Sequence, residues 1–219
     1  MVKLKYKSWE EISIPVYQEI IDIAKGSDTS EDAFTNREVD ILAVLCDSDR
    51  ESLGNLLIDD YAQLVRETNF LHKIPYYLPS ETITLRGVVY NVVVDMAKFT
   101  LAQYTEYNAL RANINTNVAS LLAVLLVPTT AKHYADGYDV AEVVKTIEAE
   151  LPYYKAYGIL RFFQVAQSIS LANTLSSEAR KTRKMARATT DKNERTKLMR
   201  RADQLRKASI SLGRCWLSR

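Results

Sequence analysis

Between Ser176 and Arg219 the chain carries fourteen Lys and Arg against four Asp and Glu, a net charge of +10. The densest part, "RKTRKMAR", puts Arg180, Lys181, Arg183, Lys184 and Arg187 into eight residues without one acid. Arg200, Arg201, Arg206 and Lys207 follow. Cations at this density neutralise several phosphates at once and hold an anionic polymer without reading its sequence, which makes these nine residues the candidate contacts to an anion or nucleic acid. The plainer alternative is a solvated helix that pairs with acidic surface of its own or another copy. Residues 1–175 hold fifteen basic and twenty-three acidic residues, a net of −8, so an acidic body carries a basic tail.

Groups that could do covalent or metal chemistry are sparse. His72 and His133 are the only imidazoles, and neither lies in a zinc-type spacing or beside a cysteine. Cys46 and Cys215 stand far apart, the first read as a small buried hydrophobe and the second as a tail thiol. "DSDRESLGNLLIDD" is acid-rich but lacks the ligand positions of a calcium loop, so Asp47 and Asp49 read as cap and turn residues. The six glycines are scattered singly, without a phosphate-binding loop. Thirteen tyrosines could suggest a stacking platform, yet Tyr76, Tyr77, Tyr153 and Tyr154 adjoin prolines, where paired rings more often pack a connector. No catalytic residue, metal ligand or cofactor is assigned, and the expectation is a protein that is not an enzyme.

The elements that must position the tail follow from pattern. "FTLAQYTEY" at Phe99–Tyr107 echoes "ISIPVYQEI" at Ile12–Ile20. Each reads as a helix entry: Thr100 caps with Gln103 completing a capping box and Phe99 stapling to Tyr104, while Ser13 caps with Ile12 and Tyr17 as staple. Val16 stands where the first box would need Gln. "ILAVLC" and "LLAVLL" then correspond, as do "IDDYAQLV" and "YDVAEVVK", each pair eighty residues apart. This predicts a duplicated unit of a capped helix, a strongly apolar helix and an Asp-started helix, over residues 9–73 and 96–172.

"TITLRGVVYNVVV" is β-rich and places Arg86-Gly87 at a tight turn, predicting a hairpin, with "VKLKYK" at the N-terminus as a candidate third strand. From "ELPYYKAYGILRFFQVAQ" a helix follows on Tyr157, Leu160, Phe162 or Phe163, Ala166, Ile169 and Asn173. Beyond Leu175 only the narrow stripe Leu198, Ala202, Leu205, Ser209 and Leu212 offers something to bury, so residues 180–197 are expected to project or to lack order in isolation.

The fold expected is mainly α: two similar helical units joined by a β-hairpin, with a basic C-terminal helix. The divisions are residues 1–75, 76–95, 96–175 and 176–219. Six Gly and five Pro in 219 residues disfavour a turn-rich β-sandwich, and 47% apolar with 26% charged residues is a globular composition. No apolar run approaches the roughly 18 residues of a membrane span, and the N-terminus lacks a signal peptide's apolar segment.

The pattern "W-x-x-I-S-I-x-x-Y-x-E-I" at Trp9–Ile20, then "ILAVLCDSD", then "ITLRGVVYNV" running into "DMAKFTLAQYTEY", resembles proteins encoded among the structural genes of tailed phages of gut Bacteroidetes, including crAss-like phages. The resemblance covers about residues 8–172. It implies a non-enzymatic protein of the virion or its assembly: cargo packed in capsid or tail, or a tail-assembly chaperone absent from the mature virion. A non-sequence-specific nucleic-acid-binding adaptor is the reading outside that resemblance. The implied partners are tail, portal or capsid proteins, met in multiple copies, with packaged DNA as a further candidate. The implied location is the virion, with the host cytoplasm during assembly. The basic tail departs from what an acidic chaperone would need, and it tilts the reading toward cargo near packaged DNA or an acidic lumen.

Overall fold

Ser13, Ser30, Asp49, Thr100 and Asp139 each accept a hydrogen bond from a backbone N–H two or three residues ahead, and in the computed structural model a helix begins after each. These oxygens satisfy donors that the first helical turn leaves without partners. The structure describes residues 2–26, 30–73, 75–114 and 116–214, and no side chain beyond Ser211. Over these residues the order is α1 (Ile14–Ala24), α2 (Glu31–Cys46), α3 (Arg50–Gly54), α4 (Ile58–Glu67), β1 (Thr82–Leu85), β2 (Val88–Val92), α5 (Leu101–Leu110), α6 (Val118–Leu125), β3 (Leu126–Pro128), α7 (Val140–Glu150), α8 (Tyr153–Ala188) and α9 (Lys192–Arg214). Helix makes up 67% of the structure and strand 7%, so the fold is mainly α. No described helix is long and apolar enough to cross a membrane. The chain forms two compact units, Met1–Val93 with Lys98–Leu160, and Val94–Ala97 with Arg161–Arg219.

In the first unit the hairpin forms where the β-branched run predicts it. Arg86 and Gly87 take φ of 47° and 77°. Two positive φ values in succession give the turn whose twist matches that of paired strands. The third strand, however, is β3 and not the N-terminal segment, with Tyr90 opposite Pro128 and Val92 opposite Leu126. The physical reason is burial. Leu121, Leu122 and Leu125 of α6 are wholly out of solvent, and the chain leaves that helix with Leu126 already inside, directly beside β2. Each such leucine contributes about 1.5–3 kcal/mol. The "VKLKYK" segment instead buries Leu4, and the N–H groups of Lys5 and Tyr6 both donate to the Leu45 carbonyl, at 2.9 and 3.2 Å.

The two helix entries form with altered fastenings. Thr100 caps α5 as expected, but the Gln103 side chain does not close a box. It is buried and donates to the Val124 carbonyl of α6 at 2.6 Å. Phe99 meets Tyr107 edge-on at 6.3 Å, while Tyr104 is left exposed, so the apolar clasp lies one turn further along than the staple spacing predicts. At the first entry Ile12 is fully buried and Tyr17 stacks on Tyr153 at 3.4 Å. Trp9 joins them, its Nε1 donating to the carbonyls of Phe70 and Lys73. α7 is capped by Asp139, but α4 follows Leu57, which supplies no capping oxygen; its acids, Asp59 and Asp60, sit inside the first turn. There they face the positive end of the helix dipole.

Gly158 lets the Pro-rich connector lie against α8. A Cβ there would stand 2.6 Å from the Tyr77 carbonyl oxygen and 2.7 Å from its Cβ. Only a residue without a side chain admits that approach.

In the second unit α9 runs antiparallel to the later part of α8. Ser209 Oγ donates to the Ala172 carbonyl at 2.9 Å, and Arg183 reaches Asp203 at 2.7 Å, so later residues of α9 meet earlier residues of α8. Ala179, Thr182 and Ala186 of α8 and Ala202 of α9 are buried, with Ala172, Leu175, Leu198, Leu205 and Ser209 half-buried. These positions recur alternately at three and four residues, the seam spacing of two packed helices. Small side chains let such helices close together. The expectation that residues 180–197 have nothing to bury is therefore corrected: Thr182 and Ala186 are part of the seam. Ile169, expected on the buried stripe, is 54% exposed, because the seam passes through Ala172 instead. The single basic helix expected after residue 175 is two, the end of α8 and the whole of α9, with Asp191 accepting from the N–H groups of Asn193 and Glu194 at the turn. Leu212 and Cys215, named from sequence, lie outside the described side chains.

Candidate anion-binding surface

All nine cations predicted from sequence fall in the second unit, on α8 and α9. Helical neighbours sit three and four positions apart. Around Arg183 those neighbours include Arg180 and Arg187; around Asp203 they include Arg200, Arg206 and Lys207. The 2.7 Å bond from Arg183 Nη2 to Asp203 Oδ1 fixes both sets on the same side of the helix pair. Lys184, four residues after Arg180 and three before Arg187, extends the same flank. Lys181 and Arg201 each lie two positions from the bridged residues and turn away from it. Seven of the nine predicted residues are thus brought together, and two are not.

The charges on this face are not neutralised locally. Arg180, Lys184, Arg187, Arg200, Arg206 and Lys207 are exposed, and none has an ion-pair partner among the described residues of its unit. Arg183 is spoken for by Asp203, and its Nε is buried with no hydrogen-bond partner among the described residues. Lys181 pairs with Glu178 at 2.9 Å, one turn away on its own helix. Of the tail's four acids, Asp203 and Glu178 are held by cations and Asp191 caps α9. The sequence reading missed Asp203 as the organising residue. Its signal was present as a lone acid flanked by Arg200 and Arg206 at helical spacing.

The other candidate groups have structural employment or open surroundings. Asp47 closes α2 in the left-handed conformation with φ of 50° and pairs with Lys5 at 2.7 Å. Asp49 caps α3, and the Ser52 N–H that it accepts holds its carboxyl below the usual carboxylate range. Burial pushes the Cys46 thiol above its ordinary value, which disfavours the nucleophilic thiolate. His133 is exposed, and His72 lines an apolar cavity of about 290 Å³ in the first unit together with Phe34, Ile41, Leu42, Val65 and Leu71. Among the described residues no three His, Cys, Asp or Glu side chains gather as a metal site.

Comparison of the chain with protein-family models, with curated proteins and with solved structures gave no match.

Proposed function

We propose that this chain is a non-enzymatic protein of a tailed phage, packed as cargo in the capsid or tail, which works by association and uses the α8–α9 pair to contact an anionic partner. The observation that carries this reading is the gathering of six exposed, unneutralised cations around one ion pair. Like charges held together repel, so such a face costs stability unless an anion occupies it. The phage context rests on the motif resemblance over Trp9–Ile20, Ile41–Asp49 and the hairpin through Tyr107. Support for association over chemistry comes from Asp49 and Cys46, which act as a cap and a core residue.

A second reading, an assembly chaperone that leaves before the particle is complete, is favoured by one feature of the first unit. Leu57, Ile58 and Leu101 are 74%, 86% and 82% exposed. Contiguous exposed apolar surface marks places that meet another protein, and Leu57 and Ile58 stand side by side in sequence at the start of α4. Mass spectrometry of purified virions separates the two readings. Cargo is present in many copies in the finished particle; a chaperone is found in the infected lysate and missing from the particle, and that outcome overturns the cargo reading.

A further inference from the structure

We infer that the anionic partner of the α8–α9 face is the sugar-phosphate backbone of duplex nucleic acid, bound without base readout. This rests on the reading of that face as an association surface and names what it takes.

Three observations choose the duplex over other polyanions. The first is dimension. Arg180 and Arg187 are seven residues apart on α8, as are Arg200 and Lys207 on α9, a span of about 10.5 Å at 1.5 Å per residue. Packed helices lie about 8–10 Å apart, so the cations outline a patch roughly as wide as it is long. About 10.5 Å of duplex carries roughly six phosphate charges. Six exposed cations without local partners occupy that patch: Arg180, Lys184, Arg187, Arg200, Arg206 and Lys207.

The second is what the helices lack. From Gln164 to Arg214 there is no Phe, Tyr or Trp. Proteins that hold single strands without sequence preference stack successive bases on aromatic rings. Along this described stretch no such platform exists, the aromatic residues of α8 ending at Phe163, seventeen residues before Arg180, whereas a duplex keeps its bases stacked internally and offers phosphate alone.

The third separates nucleic acid from an acidic protein surface. Protein interfaces concentrate their energy in aromatic and apolar anchors, and their centres are depleted of charge. Here the centre is the Arg183–Asp203 pair ringed by cations, and the exposed apolar side chains near it on α9 are Met199, four residues before Asp203, and Ile210, seven after it, at 36% and 43% exposure, with no aromatic anchor among the described residues of that helix. A face with charge at its centre suits a phosphate lattice.

The test uses the full chain with a fluorescent 30-base-pair duplex of random sequence, the matching single strand, and polyglutamate of equal charge. The duplex is expected to bind at 50 mM salt, to weaken by about 500-fold at 200 mM, and to outcompete both other polyanions. The variant R180A/R187A/R206A/K207A, altered only at exposed positions, is expected to lose about 100-fold or more at 50 mM. A charge-matched control confined to exposed lysines of the first unit, K3A/K73A/K98A/K132A, is expected to change less than about threefold. Absence of duplex binding at 50 mM, tighter binding of the single strand, polyglutamate competing as well as duplex, or an equal loss in the control would each overturn the inference. Because presence in the virion is read separately by mass spectrometry, a virion-positive, duplex-negative result removes this inference and leaves the cargo reading standing.

Discussion

Arg183 of α8 and Asp203 of α9 are joined at 2.7 Å, and this one pair holds the only described acid among the cations on that flank of the two helices. Asp203 therefore has two opposed effects. It braces the helix pair, and it subtracts charge from the face. The substitution D203N is expected to lower stability by about 0.2–1 kcal/mol, the usual worth of a pair this exposed. The same change is expected to tighten duplex binding and to steepen the salt dependence by about one unit. Urea unfolding and a two-salt titration read the two effects independently.

The seam of the second unit is built on small side chains, and its tolerance for volume is correspondingly low. Ala186 is fully buried there. A186L is expected to cost about 1–3 kcal/mol through overpacking. Its near neighbour Ala188 is exposed, and A188L is expected to change stability by less than about 0.5 kcal/mol. Equal effects from the two changes would refute the assigned seam.

At Gly158 the constraint is backbone proximity. The connector carbonyl of Tyr77 sits 2.6 Å from the position of a new Cβ, and backbone cannot swing aside as a flexible side-chain end could. G158A is expected to destabilise the first unit by about 1–3 kcal/mol. Thermal unfolding of the full chain followed by near-ultraviolet circular dichroism reports on it through Tyr77 and the nearby tyrosines.

Alkaline pH offers a test of the aromatic cluster. Burial pushes the Tyr153 hydroxyl well above the ordinary tyrosine value of 10.0, and the Tyr17 hydroxyl adds to the shift. A folded pKa raised above the unfolded one means that the contribution is complete below about pH 10 and is lost as pH rises toward the folded value. Stability is therefore expected to be level in this respect through neutral pH and to fall above about pH 10. Y153F removes that ionisable group and is expected to flatten the fall. An unchanged alkaline slope in Y153F would contradict the assignment.

Much of this architecture was legible where a residue's local chemistry decides its conformation. Ser13, Thr100 and Asp49 cap as their side chains dictate, and Arg86-Gly87 turns as a two-residue hairpin loop must. What pattern could not supply was the choice among tertiary partners. Gln103 had two uses, its oxygen accepting from the Thr100 N–H at the helix start or its amide N–H donating to the Val124 carbonyl, and burial against α6 decided it. "VKLKYK" alternates like a strand, yet Leu126 reached β2 first because α6 delivers it there. The basic tail was legible as charge and only half legible as structure. The stripe from Leu198 to Ser209 contains leucines and is visible to an apolar pattern, whereas Ala179, Thr182 and Ala186 are too small to register, so the partner seam on α8 was hidden. Hence the cations were found, and the pairing that sorts them into seven on one face and two off it was not.

The central claim is that the α8–α9 face works by neutralising phosphate, and the salt dependence of duplex binding by the full chain tests it most directly. With about five of the six exposed cations each neutralising a phosphate, a plot of log K against log salt between 50 and 200 mM has a slope near −4 to −5. A slope close to zero, or no binding at 50 mM, would contradict it.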